Sequence, residues 1–534
     1  MTRARQLRTW LAARVPPADE LLRWGLASAL AVASLAVTCY VFLLFDDSML
    51  HKPLGGDEGY FVWCGWCVTK GLAPYRDFVE FKPPLLFLTH ALALKLHGFS
   101  ELHFRRFFVY FPLGSLVALQ ASLLSRRIDT WLSMGLVIAL IHVWVNPRFH
   151  DTGLSDSESI GLSYYFLGVA LLLARTEWRR SATVLGAAFL FCAAQSKEPF
   201  VPCVVCTWLA CHLASDRRLG WRKDLASYVK LTALGAGIVG LALLLYLAPT
   251  GALGEYVRIV RRYSVVYRDA RQSFCVIGGV FQPTTPMNDF IRQWWRLRSE
   301  YLNLATLGFL VPFAAAALLY TWRRSWLLFL VTLAGVLGAY LAVTASNCPW
   351  IHNDNMFLSG LFFFLVIGLD SMSPYLHAAE RSMRMAVRVA MLTALALAVL
   401  PRIESERPAF GTRQAPQSDF ERVPGSFDAI RKYTVPGDRI LTTGNPILYV
   451  QMDRVSAVRE SNLLDPILNF YVGSTDAERL RPMYDELVLH RPKIVVLDPE
   501  FSSVKVRHTA AVFGPYLDTF HYKKLSDTIY LRPD

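Results

Sequence analysis

Residue types able to do chemistry fall in short clusters between long apolar runs. Asp57 and Glu58 stand between glycines in LGGDEGYFVW, and Asp151, Asp156 and Glu158 form a second acidic group in FHDTGLSDSES. Lys82 is followed by Pro83 and Pro84, while Lys197 and Glu198 break two apolar runs in AQSKEPF. Arg258, Arg261, Arg262, Tyr263 and Tyr267 share a helix-like stretch, and His352, Asn353 and Asp354 open a later apolar run. A carboxylate in such a cluster can accept the proton of an attacking hydroxyl. Cations can hold the negative charge that grows on a departing anionic group. Each cluster also has a bland alternative: loop carboxylates are usually solvated, and Arg261 and Arg262 could simply anchor a loop to lipid phosphates. Lys197 resists that reading, because an ammonium between apolar runs needs an anionic partner.

The elements that position these residues are membrane-length. The chain has 534 residues, 54% hydrophobic and only 18% charged, with a mean hydropathy of +0.32; a soluble chain carries nearer a quarter charged residues. Apolar runs occupy Leu21 to Phe45 and about 104–124, 130–147, 159–175, 181–196, 200–214, 228–249, 302–321, 326–344, 354–372 and 385–401, lengths suited to about 30 Å of hydrocarbon. The expected fold is therefore an α-helical polytopic membrane protein of about eleven spans. The net charge of +13 excludes nucleic acid as its explanation, because Lys and Arg cluster in short loops between the runs, where they set orientation.

The basic arm with Arg3, Arg5, Arg8 and Arg14 places the N-terminus in the cytoplasm and the first run as a retained span. The segment Lys82 to His97 is short and interrupted by His90, Lys95 and His97, which are costly in a bilayer core. With that segment lying flat, the loops carrying Arg126, Arg179, Arg217, Arg323 and Arg381 all face the cytoplasm; if it spans, all reverse. Residues 46–103 thus form one external loop with surface helices, and 148–158, 197–199, 250–301 and 345–353 share its side. The membrane unit is 1–401 and a polar, Pro-rich linker covers 402–424. A small external α/β domain, accessory in character, is expected over 425–534, from strand-like RILTT at 439–443 and KIVVL at 493–497 between helical stretches. Of the nine cysteines, the pairs Cys64/Cys67 and Cys203/Cys206 lack a second pair at zinc-site distance and read as packing residues, while Cys275 and Cys348, both external, could form a disulfide.

The spaced motifs G-D-E-G-Y at 56–60, P-Y-R-D-F-V-E-F-K-P-P-L at 74–85, G-x-S-E-x-x-x-R at 98–105 and S-K-E-P at 196–199 resemble the GT-C superfamily of polyprenyl-phosphate-sugar glycosyltransferases. The likeness is strongest to its branch of protein mannosyltransferases and the lipid A aminoarabinose transferase, and it covers about the first 370 residues. It implies a GT-C-like fold and transfer of a sugar from a polyprenyl-phosphate donor, with inversion, to a glycan, lipid or protein acceptor. The setting would be the outer face of a bacterial inner membrane, by a monomer surrounded by lipid. It carries the general base to Asp57, with Glu58 beside it and Asp156, Asp151 and Glu158 as candidates for a second acidic site. Donor phosphate would be bound by Lys82, Lys197, Arg261 and Arg262, and donor or acceptor by Tyr263, Tyr267 and His352. The family's Lys-Gly-Pro appears here as Lys197-Glu198-Pro199, and its His-Tyr pair as His352-Asn353. Metal dependence stays open: two acidic loops could chelate a divalent cation through carboxylate oxygens, or the basic residues could neutralise the phosphate without one.

Two other classes compete. A lipid-linked-saccharide flippase or transporter would need polar residues at mid-depth and internal repeats, and neither stands out. An O-antigen-ligase-like or acyl-transferring membrane enzyme would place similar residues outside.

Overall fold

The computed structural model describes residues 18–50, 56–99, 101–126, 128–144, 154–174, 178–214, 221–261, 304–344, 354–411, 421, 423–460, 477–498 and 513–533. Each of the eleven apolar runs carries a helix: α1 (Ala18–Leu50), α4 (Glu101–Ser125), α5 (Thr130–Trp144), α6 (Ser157–Leu173), α7 (Arg179–Ala194), α8 (Val201–Ala214), α9 (Trp221–Leu247), α11 (Leu304–Arg324), α12 (Trp326–Thr344), α13 (Asp354–Ala378) and α14 (Arg381–Gly411). Between them lie α2 (Gly56–Thr69), α3 (Pro84–His97) and α10 (252–261). Among the described residues, five helices are long and apolar enough to cross a membrane by length and composition, with four shorter apolar helices beside them. The outward faces explain where they sit. Leu234, Ile238, Leu241 and Leu245 form an exposed stripe along α9, and Leu330, Leu333, Leu337 and Leu341 another along α12. Stripes at helical spacing normally face a core; facing outward, they mark a lipid-facing surface.

Ion pairs tie the two ends of the bundle. At one end Arg126 grips Asp370 with two hydrogen bonds, of 3.0 and 2.7 Å, and Arg388 pairs with Asp129. At the other, Arg105 donates to Glu58 at 3.0 Å.

Helix α3 begins at Pro84, two residues after Lys82, and ends with His97 against Phe107, near the start of α4. Its 14 residues extend only about 21 Å. His90 differs from expectation. Its charge counted against burial, yet it is fully buried, with Nδ1 facing the Leu86 carbonyl at 2.8 Å and Nε2 the Ser155 carbonyl at 3.0 Å. Burial pulls its pKa down to about 4, against the two carbonyl contacts, which favour the charged ring. Opposite it sits Gly65, where a Cβ would lie 2.5 Å from His90 Cβ; only a glycine lets α2 approach α3 this closely.

Helix α14 continues to Gly411, ten residues into the stretch read as a linker and through Pro401 and Pro408; 412–420 lie outside the described residues. Beyond it come α15 (Ser426–Tyr433), β1 (Arg439–Thr442), α16 (Ile447–Met452), β2 (Val455–Ser456), α17 (Ala477–His490), β3 (Ile494–Val496), α18 (513–519), β4 (Lys523–Lys524) and β5 (Ile529–Leu531). The sheet order is β2-β1-β3-β5-β4. The first three strands are parallel and the β3–β5 and β5–β4 pairs antiparallel.

Replacing Gly65 with leucine should push α2 and α3 apart and cost roughly 1–3 kcal/mol or more. Thermal unfolding of the detergent-solubilised protein reads this as a lower Tm, and an unchanged Tm would refute the close approach.

Candidate active site

The first turn of α2 carries Asp57 and Glu58, and the two carboxylates have different surroundings. Glu58 is buried. It accepts from Arg105 Nη2 and, at 2.6 Å, from Ser155 Oγ, which ties α2 to α4 and to the turn before α6. Asp57 is half-buried, and among the described residues no hydrogen bond occupies its carboxylate. Its neighbour in the field is Lys197.

Asp156 caps α6. Its side chain accepts from Ser159 N at 2.6 Å, the work an Asp does at this position. Glu158, in the first turn of α6, accepts from Ser157 Oγ at 2.7 Å and forms an ion pair with Lys197. Lys197 sits where α7 ends and a short 3-10 turn (Glu198–Phe200) leads into α8. Pro199 helps end α7 there, which leaves the lysine at the bundle end rather than inside a helix. Lys197 is buried. Burial first, and then the nearby Lys82 charge, hold its ammonium well below the usual lysine range, with Asp156, Asp57 and Glu198 pulling it back up. Lys82 and Asp57, from different segments, thus both act on the charge of Lys197.

The loop carrying Lys82 is built by its own motif. Asp77 accepts from Ala73 N at 2.8 Å, closing a turn through Pro74. Tyr75 lies in the left-handed region at φ 68°, uncommon for a bulky residue. Its hydroxyl donates to the Lys82 carbonyl at 2.7 Å, and its ring packs 4.7 Å from that of Tyr256 on α10. Lys82 is half-buried, with Nζ 4.7 Å from the Phe81 ring centre.

Of the residues singled out from sequence, the structure thus brings together Asp57, Glu58, Lys82, Asp156, Glu158 and Lys197. Arg261 is exposed at the end of α10, whose Tyr256 reaches the loop. Asp151, Arg262, Tyr263, Tyr267, His352, Cys275 and Cys348 lie outside the described residues. Cys64 and Cys67 are buried and free, with burial pushing both thiols up, as packing residues should be. Among the described residues, no group of three or more His, Cys, Asp or Glu is arranged to hold a metal ion.

No family model matches the chain, and no curated relative matches it. Among solved structures it is similar to the Archaeoglobus fulgidus oligosaccharyltransferase in complex with Zn and sulfate, at 12% identity over 89% of this chain and 70% of that one, with a TM-score of 0.46. It is also similar to ArnT from Cupriavidus metallidurans bound to undecaprenyl phosphate, at 13% identity over 93% of this chain and 97% of that one, with a TM-score of 0.40.

One titratable group went unremarked in the sequence. Glu80, inside E-F-K-P-P, is buried and accepts from the backbone N–H groups of Phe81 at 2.8 Å and Lys82 at 3.1 Å. Burial raises its carboxyl to about 7, against the pull of Lys82 and these two hydrogen bonds. A glutamate two residues before a lysine, among aromatic residues, was the available signal.

A carboxyl raised in the folded state binds protons more tightly there than in the unfolded chain, so it weakens the fold as pH climbs from about 4.5 to about 7. Glu80→Gln should flatten that decline, recovering up to roughly 3 kcal/mol above pH 7. Tm measured from pH 5 to 8 checks this: parallel wild-type and variant curves would show that Glu80 ionises as it does in water.

Proposed function

We propose that this chain is a membrane glycosyltransferase. It takes a hexosyl or pentosyl group from a polyprenyl-phosphate donor and passes it to an envelope glycan, lipid or protein acceptor, with inversion. The observation that carries this reading is the buried Lys197, which feels both the Lys82 ammonium and the half-buried Asp57 carboxylate, at the end of a bundle with lipid-facing sides. An ammonium depressed by burial and by a neighbouring cation marks a place that an anion relieves, and a lipid phosphate can reach it from the membrane.

The acceptor hydroxyl attacks the anomeric carbon on the face opposite the phosphate. A new C–O bond forms as the C–O bond to phosphate breaks, and that electron pair stays on the phosphate. Lys82 and Lys197 stabilise the charge arriving there, and Asp57 takes the hydroxyl proton. Glu158 holds Lys197, while Asp156 and Glu58 brace the backbone around it. Arg261, with Arg262, Tyr263 and Tyr267 beyond it, serves the donor phosphate or the acceptor from the α10 side, joined by Asp151 and His352. On this reading about eleven helices cross a bacterial inner membrane. The N-terminus is then cytoplasmic and 425–534 form an α/β domain on the outer side, in a monomer.

The test is transfer from a radiolabelled polyprenyl-phosphate sugar by purified protein. Asp57→Asn should lower kcat by roughly 10²-fold or more with donor KM little changed. Lys82→Ala and Lys197→Ala should chiefly raise donor KM. Full turnover in Asp57→Asn would remove it as the base.

A further inference from the structure

The C-terminal sheet presses on the candidate site, and the contact is specific. Gly59 lies in α2, two residues after Asp57. A Cβ there would fall 2.2 Å from Asn445 Oδ1 and 2.6 Å from Asn445 Nδ2. A glycine inside a helix costs roughly 0.5–1 kcal/mol relative to alanine, so its presence needs a reason, and Asn445 supplies one.

Asn445 is not on a loose loop. It follows β1 at the carboxyl edge of the parallel strands, where Thr443 N donates to the Val496 carbonyl at 3.1 Å and Asp498 N to Thr443 Oγ1 at 3.0 Å. The Asn445 side chain itself accepts from Ile447 N at 3.0 Å and is buried. Carboxyl edges of parallel strands are where α/β proteins present functional loops. Here the edge meets the turn that holds Asp57, with Tyr449 against Trp63, ring centres 5.9 Å apart, and Lys70 paired to Asp453 at 2.7 Å.

A second contact holds the Lys82 loop. Val79 N donates to the Arg459 carbonyl at 2.9 Å, and Arg459 Nη1 donates to the Arg76 carbonyl at 3.3 Å. The Arg459 guanidinium is itself gripped by Glu486.

We infer that the C-terminal sheet is a working part of the active site, with two positioning residues: Asn445 seats the first turn of α2 and with it Asp57, and Arg459 fixes the 76–79 backbone that leads into Lys82. The sheet thus does more than an accessory domain would. Its activity readout rests on the proposed transferase reaction; its stability readout does not.

A double-mutant cycle on full-length protein decides it. On helix propensity alone Gly59→Ala should raise Tm. If Asn445 fills that space, Gly59→Ala lowers Tm and cuts kcat about tenfold, and adding Asn445→Ala returns both to near the Asn445→Ala single variant, an interaction well beyond additivity. Arg459→Ala should raise donor KM about threefold or more with kcat little changed, since it acts through Lys82. Additive effects, a raised Tm in Gly59→Ala, or coupling in Tm without coupling in kcat would overturn the inference. A wild type that transfers no sugar would sink the transferase reading instead, and the Tm cycle would still decide whether Asn445 seats α2.

Discussion

A charge cannot be carried to the end of an apolar bundle alone, because stripping water from one ion costs several kcal/mol. Lys197 is buried at such an end, and much of the local architecture follows from its need for company. Glu158 meets it directly. That fixes the phase of α6 against the α7–α8 junction, and Asp156, capping the same helix, completes the acidic side. Glu58 solves the same problem for Arg105 and adds Ser155, so the 155–158 segment is tied to both pairs. The two buried pairs share one short stretch of chain, and that stretch sets where α2, α4, α6 and α8 meet.

Pairing of this kind leaves a remainder. Glu58 and Glu158 are committed to cations, and Asp156 to a helix cap. Asp57 and Lys82, one on the first turn of a helix and one just before another, remain half-buried with access to what arrives from outside. On the proposed reading, adjacent carboxylates in one motif divide into a brace and a reagent, and environment rather than residue type makes the division. The brace matters to the reagent: an α2 held by Arg105 and Ser155 on one side and by Asn445 on another has little freedom to mislay Asp57, and orientation is a large share of what an active site supplies.

How much of this was legible follows from the range of each interaction. The helices announced themselves through runs of apolar residues, a local signal. Lys197 stood out because the residues on either side are apolar. Residue type alone does not separate Glu58 from Asp57, since the partners that do, Arg105 and Ser155, lie 47 and 97 residues from Glu58. The burial of His90 rests likewise on a distant partner, the Ser155 carbonyl 65 residues on. The least legible contact was Arg459 with Arg76, at 383 residues' separation, and with it the role of the C-terminal sheet. The sole trace was Gly59, an unexplained glycine in a helix, whose reason lies in another part of the chain.

Glu80 links these parts. Its carboxyl is buried, yet its acceptor oxygen is fixed by the backbone N–H groups that begin the Lys82 segment, and Lys82 is the charge that most opposes its rise to about 7. On the proposed reading an anionic donor phosphate at Lys82 would offset that lysine's field, so Glu80 would hold its proton to higher pH with donor bound than without. Donor binding and proton uptake would then be coupled through one lysine, by the same rule that pairs Lys197 with Glu158: each buried charge at this end of the molecule is set by which counter-charge is present.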